Sequence, residues 1–254
     1  GGNITFFDPN DVPGLYESFF IDQDEFKQLY EKYERAHSIR KKSLPALEVF
    51  QQFLTERKDT GRIYLMNVDH ANDHSSFIKE RAPIRMSNLC CEIDLPTKPL
   101  QSANDPNGEI SLCTLSAINW GLINRPSEFK KYCNLAVRGL DELLDYQDYP
   151  VLAAENGTMG RRPLGIGIIN LAYFLAKRGL KYDESAFEVI DEYAESWSYY
   201  LIKTSMKLAK KKGACLLNNQ TKYASGDLPI DTYKRAIDNL IEHKERLPWN
   251  ELRN

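Results

Sequence analysis

Short apolar runs alternating with long amphipathic stretches restrict this chain to an α/β architecture more tightly than any other feature it carries. Arg62-Ile63-Tyr64-Leu65-Met66-Asn67-Val68 is apolar and β-branched on both faces, the pattern of a parallel strand covered on both sides. Glu109–Ala117 and Leu164–Asn170 read the same way, and Ile4–Phe7 is a further strand near the start. Between them the spacing predicts helices. Asp24–Ala36 repeats Phe26, Leu29, Tyr30 and Tyr33 at helical intervals, and Pro45–Arg57 has Leu47, Phe50, Phe53 and Leu54 as its buried stripe, ended by Gly61. Pro126-Ser127 open a helix to Gln147 with Phe129, Ala136, Val137, Leu140, Leu143 and Leu144 inward. Leu171–Lys177 forms an apolar helix, and a long one from Glu184 to Lys212 stops at Gly213 with three lysines at its end, where the helix dipole favours positive charge. These strong strands are too few for a closed eight-fold barrel.

Shorter signals fill the gaps. Asp11 is expected to cap a short helix with Pro13 in its first turn. Arg40-Lys41-Lys42 reads as a solvated connection. His70 and His74, four apart with aspartates nearby, would suit a metal if helical, but their Asn- and Asp-rich setting after a strand favours a turn, and no metal site is expected. Asn104–Gly108 is a turn. Gly165-Ile166-Gly167 lacks the third glycine of a dinucleotide loop, so close strand–helix packing explains it better. Cys133 reads as a structural thiol and Cys215 has no motif around it. Tyr233–Leu252 is read as one more helix and a frayed end.

Composition narrows the function. A net charge of -3 argues against a general nucleic-acid-binding surface. No apolar run reaches a membrane span and no signal peptide opens the chain. Five cysteines in 254 residues do not suggest a disulfide scaffold; they suit a reducing cytoplasm in which particular thiols react.

The chemistry concentrates in Met86-Ser87-Asn88-Leu89-Cys90-Cys91-Glu92-Ile93-Asp94-Leu95-Pro96. Read as an extended segment, it points Asn88, Cys90 and Glu92 to one face and Leu89, Cys91 and Ile93 to the other. A thiol between a hydrogen-bonding amide and a potential base is a plausible reaction centre. The competing account is that Cys90 fills a core, because free cysteine is among the most buried residue types.

Ser87–Ile93, running into Leu95-Pro96-Thr97-Lys98-Pro99, resembles the active-site loop of the large subunit of class I ribonucleotide reductase. Gly108–Ser116 resembles the strand with one of that family's redox cysteines, and Gly157–Gly167 a later barrel segment. The similarity runs from Asp11-Val12-Pro13-Gly14 to Leu228-Pro229-Ile230-Asp231. Cys91 departs from the pattern, standing where an aliphatic residue is expected.

The resemblance implies part of a ten-stranded α/β barrel, residues 1–254 being one segment of it, with a finger loop at about 86–99 carrying the active-site cysteine. The N-terminal cone, the specificity region, the C-terminal tail and the upstream cysteine that would pair with Cys113 are expected to lie outside it. The implied reaction is radical reduction of ribonucleoside diphosphates. Cys90 would host a thiyl radical, Glu92 would accept a proton, Asn88 would orient substrate, and Cys113 would supply reducing electrons; Leu115 joins Asn88 and Glu92 in binding substrate. The chain itself would hold no cofactor. A metal-containing small subunit would supply the radical, thioredoxin or glutaredoxin the electrons, and the remainder of the large subunit the rest of the barrel, in an oligomer. Alone, the chain is expected to be inactive. Two rivals stay open: another thiyl or glycyl-radical barrel enzyme, and a non-catalytic fragment that completes a barrel.

Overall fold

The computed structural model describes residues 2–231 and 245–253, so most of the tail expected to be helical over Tyr233–Leu252 lies outside the described residues. The chain divides into two compact units, Gly1–Pro96 and Thr97–Asn254.

In the first unit, strand β1 (Asn3–Phe7) pairs antiparallel with β2 (Lys41–Pro45), Asn3 opposite Pro45 and Phe7 opposite Lys41. Helices α1 (Leu15–Ile21) and α2 (Gln23–Arg35) lie between them in sequence and α3 (Ala46–Thr60) follows β2. Asp22 caps α2 by accepting from the Asp24 and Glu25 amides at 3.0 Å. Val12, Leu15 and Tyr33 form the buried core, flanked by Phe7, Phe26, Leu29 and Tyr30.

The basic run is therefore partly strand and not only a connection, while Arg40, Lys41 and Lys42 are all exposed, as expected. Lys41 donates to the carbonyls of Tyr33, Glu34 and Ala36 at the C-terminal end of α2, where the helix dipole favours positive charge. Arg40 bridges to Asp11 (3.0 Å) and Asp8 (3.2 Å). Asp8, not Asp11, caps the first short turn, a single 3-10 turn over Pro9–Asp11 with Pro9 at its start.

Two more expectations change here. Residues 62–67 form no strand, because none of the described strands pairs with them. The Asp69–His74 segment is helical, α4 (Val68–His74), rather than a turn. Asn72 explains it: the buried side chain donates to the carbonyls of Val68 (2.8 Å) and Ile84 (2.9 Å) and accepts from the Ile84 amide (2.8 Å). An amide that bonds across twelve residues does not compete with its own helix as a local turn former does. Finally, α3 forms and ends at Gly61 (φ 65°) as expected, but has no buried residue: Leu47, Phe50 and Leu54 are exposed. Periodicity identifies the apolar face of a helix, not whether this chain covers it.

The second unit is built on parallel strands β3 (Leu115–Asn119) and β4 (Gly165–Ile169), with Leu115 opposite Gly165 and Asn119 opposite Ile169. Between them run α5 (Phe129–Tyr146) and α6 (Leu152–Arg161); α7 (Leu171–Ala176) and α8 (Phe187–Lys212) follow. Trp120, fully buried, meets the rings of Phe129, Phe174, Tyr193 and Trp197 at centroid separations of 5.4, 5.5, 6.1 and 6.5 Å. A smaller core joins Tyr199 to Leu228, Trp249 and Leu252, anchored by Glu195, which accepts from the amides of Arg246 and Leu247 and the indole of Trp249. Of the inward face expected of α5, Leu143 is exposed and Ala136 half-buried, and buried Cys133 takes a core place instead. The fold is α/β, and the described residues contain two strand pairs rather than a closed barrel.

Candidate active site

The segment expected to be extended turns back on itself. The Cys91 amide donates to the Asn88 carbonyl (3.1 Å), and the Asn88 amide to the Ile93 carbonyl (3.2 Å). The Asn88 side-chain oxygen accepts from the amides of both Glu92 and Ile93 at 3.0 Å. Cys91 sits in the left-handed region, φ 61°, which non-glycine residues seldom adopt. The strand alternation expected for Asn88, Cys90 and Glu92 is accordingly replaced by a hydrogen-bonded turn. Its physical cause is local: an Asn side chain can satisfy the backbone two to five residues on, and here it does so twice.

The turn offers its chemistry outward. Cys90 and Glu92 are exposed and Leu89 is 87% exposed, while Cys91 is half-buried and places its thiol 3.7 Å from the Leu65 carbonyl. Cys90 is thus not the core filler that its residue type allows. Two tertiary clamps precede the turn. One is the Asn72–Ile84 pairing described above. The other is the two-pronged salt bridge from Arg85 to Glu17 of α1, at 2.8 and 2.5 Å, with the guanidinium also lying over the rings of Tyr16 and Phe20. The Arg85 hydrogen bonds hold the Glu17 carboxyl below its usual range. Past the turn, burial pushes the Asp94 carboxyl up, and its Oδ1 is buried without a partner. None of Asn72, Arg85, Glu17 or Asp94 was marked by the sequence, because their partners or their burial come from tertiary packing.

Cys113 and Leu115 belong to the second unit, both exposed. Leu115 begins β3, and Cys113 precedes it; only the last three residues of the strand expected over Glu109–Ala117 are paired as one. Glu109 shows why. It forms a bridge with Lys98 and is buried between Lys98, at 2.5 Å, and Arg161. Burial alone would raise the Glu109 carboxyl, but hydrogen bonds from Lys98 and Arg161 hold it low and ionised. Ile110 then donates to the Ala153 carbonyl (2.9 Å), and its own carbonyl oxygen lies 2.3 Å from where a Cβ on Gly157 would stand. A glycine is required there for α6 to reach the backbone that leads to Cys113. Asp105 closes the preceding turn, accepting from the amides of Gln101 and Asn107.

The remaining cysteines are set apart. Cys133 is fully buried, donates to the Trp197 carbonyl at 3.6 Å, and is pushed up to about 12 by burial. Burial also raises Cys215. Neither is poised as a thiolate at neutral pH. His70 and His74 do share a helical face, their rings 5.9 Å apart, yet the described residues contain no group of three or more metal-ligating side chains. Nor is any described helix long and apolar enough to cross a membrane.

Comparison with known proteins places this sequence among relatives. The family profile described as ribonucleotide reductase, barrel domain, matches residues 1–254. The chain is 56% identical over 254 residues to the ribonucleoside-diphosphate reductase subunit alpha of Haemophilus influenzae, covering 100% of this chain and 34% of that protein. It is also 56% identical to the ribonucleoside-diphosphate reductase 1 subunit alpha of Escherichia coli, over 100% of this chain and 33% of the relative. The subunit alpha of Enterobacteria phage T4 is 44% identical over 98% of this chain and 33% of its own length. The chain therefore spans about a third of the curated relatives that it matches.

Proposed function

The chain belongs to the ribonucleotide reductase barrel-domain family, and from that premise we propose that it is the catalytic-centre segment of a ribonucleoside-diphosphate reductase. In this reading it forms part of a ten-stranded α/β barrel, with residues 86–99 as a finger loop inside it. The observation that carries the reading is the turn itself: within a family match over every residue, Asn88 pins a loop that leaves Cys90 and Glu92 accessible to a substrate.

Each residue then has a defined task. A thiyl radical on Cys90 takes a hydrogen atom from the 3′ carbon of a ribonucleoside diphosphate. Glu92 accepts the 3′ hydroxyl proton, which suits a carboxylate that forms no salt bridge among the described residues. Asn88 orients substrate through its amide nitrogen while its oxygen holds the turn. Cys113 is one of two thiols that deliver the reducing electrons, its partner coming from a segment upstream, and Leu115 lines the substrate site. The barrel excludes water from the radical. A metal-containing small subunit supplies the radical, and thioredoxin or glutaredoxin restores the thiols.

The test is Cys90→Ser in the full-length subunit. It is expected to keep its fold and substrate binding and to form no deoxynucleotide. Substantial turnover by a folded Cys90→Ser subunit would defeat the assignment.

A further inference from the structure

Cys90 and Cys91 are consecutive, and the turn that carries them is not the strand which their sequence suggests. In an extended segment adjacent side chains stand on opposite faces and two neighbouring thiols cannot meet. Here the Cys91 amide is bonded back to Asn88, Cys91 holds φ 61°, and that alternation is gone. Cys90 is exposed, and among the described residues the Cys91 thiol makes one long contact, to the Leu65 carbonyl in a stretch without regular structure. We propose that Cys90 and Cys91 are a peroxide-responsive vicinal dithiol, closing to a reversible disulfide that withdraws the Cys90 thiol from chemistry. The inference rests on Cys90 being the reactive thiol of the proposed function.

The step balances with a hydroperoxide as oxidant. Hydrogen peroxide converts the Cys90 thiol to a sulfenic acid and releases water. The Cys91 sulfur then displaces hydroxide from that sulfur, a second water leaves, and two electrons have passed from the thiol pair to the peroxide. Attack from the next residue is intramolecular, so it competes well with further oxidation of the sulfenic acid. An external dithiol reverses it by exchange through a mixed disulfide. Geometry explains why the bond would serve as a switch and not a staple. Neighbouring Cα atoms across a trans peptide stand about 3.8 Å apart, whereas ordinary disulfides span roughly 4.4–6.8 Å, and a bridge outside that range is strained and easily reduced.

The full-length subunit is treated with graded hydrogen peroxide, its free thiols are alkylated, and it is cut after glutamate. The peptide Arg81–Glu92 contains both cysteines and no other. The expected product is that peptide two hydrogens lighter and unalkylated, restored by dithiothreitol together with turnover. In Cys91→Leu the same dose should leave sulfinic or sulfonic acid on Cys90, and dithiothreitol should recover less than about a tenth of the activity. Cys90 joined to Cys113, or oxidised while Cys91 remains alkylatable, would overturn the proposal. Full turnover with the disulfide closed would overturn it as a switch. Full turnover by Cys90→Ser would instead sink the catalytic reading of Cys90, and the mass of the peptide reports the disulfide independently of it.

Discussion

The side-chain oxygen of Asn88 lies 3.0 Å from the backbone nitrogen of Glu92, so the residue proposed to orient substrate also shapes the loop carrying the proposed base. With the second bond, to Ile93, Asn88 holds two amides at once. Asn88→Ala should loosen the turn before it affects anything else. Each net hydrogen bond is worth about 0.5–1.5 kcal/mol. Hydrogen exchange at the Glu92 and Ile93 amides should therefore speed by roughly tenfold or more. Asn88→Asp keeps the oxygen and should exchange at nearly the native rate. Equal protection in the Ala and native proteins would show that the backbone alone holds the turn.

Glu92 separates from Asn88 because no hydrogen bond to its side chain contributes to the turn. Glu92→Gln is expected to bind nucleotide normally and to slow reduction by about 10²–10⁴-fold, the usual contribution of a general base. A Gln variant with native kcat would leave the carboxylate no part in proton transfer.

Two glycines in the second unit should respond in opposite ways. A Cβ at Gly157 would stand 2.3 Å from the Ile110 carbonyl oxygen, whereas one at Gly139 on α5 meets nothing within 4 Å. Gly157→Ala should cost about 1–3 kcal/mol by overpacking. Gly139→Ala should stabilise by about 0.5–1 kcal/mol through helix propensity. Urea midpoints of the two variants on the same side of the native value would contradict this packing.

Asp141 of α5 ties α6 to α8: Arg162 reaches it at 2.7 Å and Lys212 at 2.8 Å. Burial would raise the Asp141 carboxyl, but those two cations outweigh burial and hold it below 3.8. The native pKa lies below the unfolded one, so the ionised group contributes its stability fully above the ordinary carboxylate range. That contribution disappears as pH falls through the lowered native value. Asp141→Asn should cost about 1 kcal/mol near neutrality, a modest figure because half-exposed Lys212 is screened by solvent. The melting temperatures of native and variant proteins should then converge as pH falls through that lowered native value. A gap that stays constant from neutrality into acid would assign the effect to packing.

How much of this was legible beforehand depends on where each hydrogen bond finds its partner. A helix satisfies its backbone within four residues, so spacing and end signals suffice: α2, α3, α5 and α8 lie within a few residues of where periodicity puts them, with Gly61 and Gly213 at the expected stops. The motif around Cys90 was likewise readable, as was β4 running into α7. Strands and turns are different, because their partners are distant or compete locally. Lys41–Pro45 became a strand because β1 lay ready to pair with it, while 62–67 pair with no strand among the described residues and are irregular. Asn72 made a helix of an expected turn by bonding to Ile84, and Asn88 made a turn of an expected strand by bonding to Glu92 and Ile93. The sequence alone determined where the long helices run and which residues are candidates for the chemistry. Only the tertiary structure decided the strand pairing, the burial of Glu109 between Lys98 and Arg161, and the turn presenting Cys90, since each depends on groups that the chain brings together only by folding.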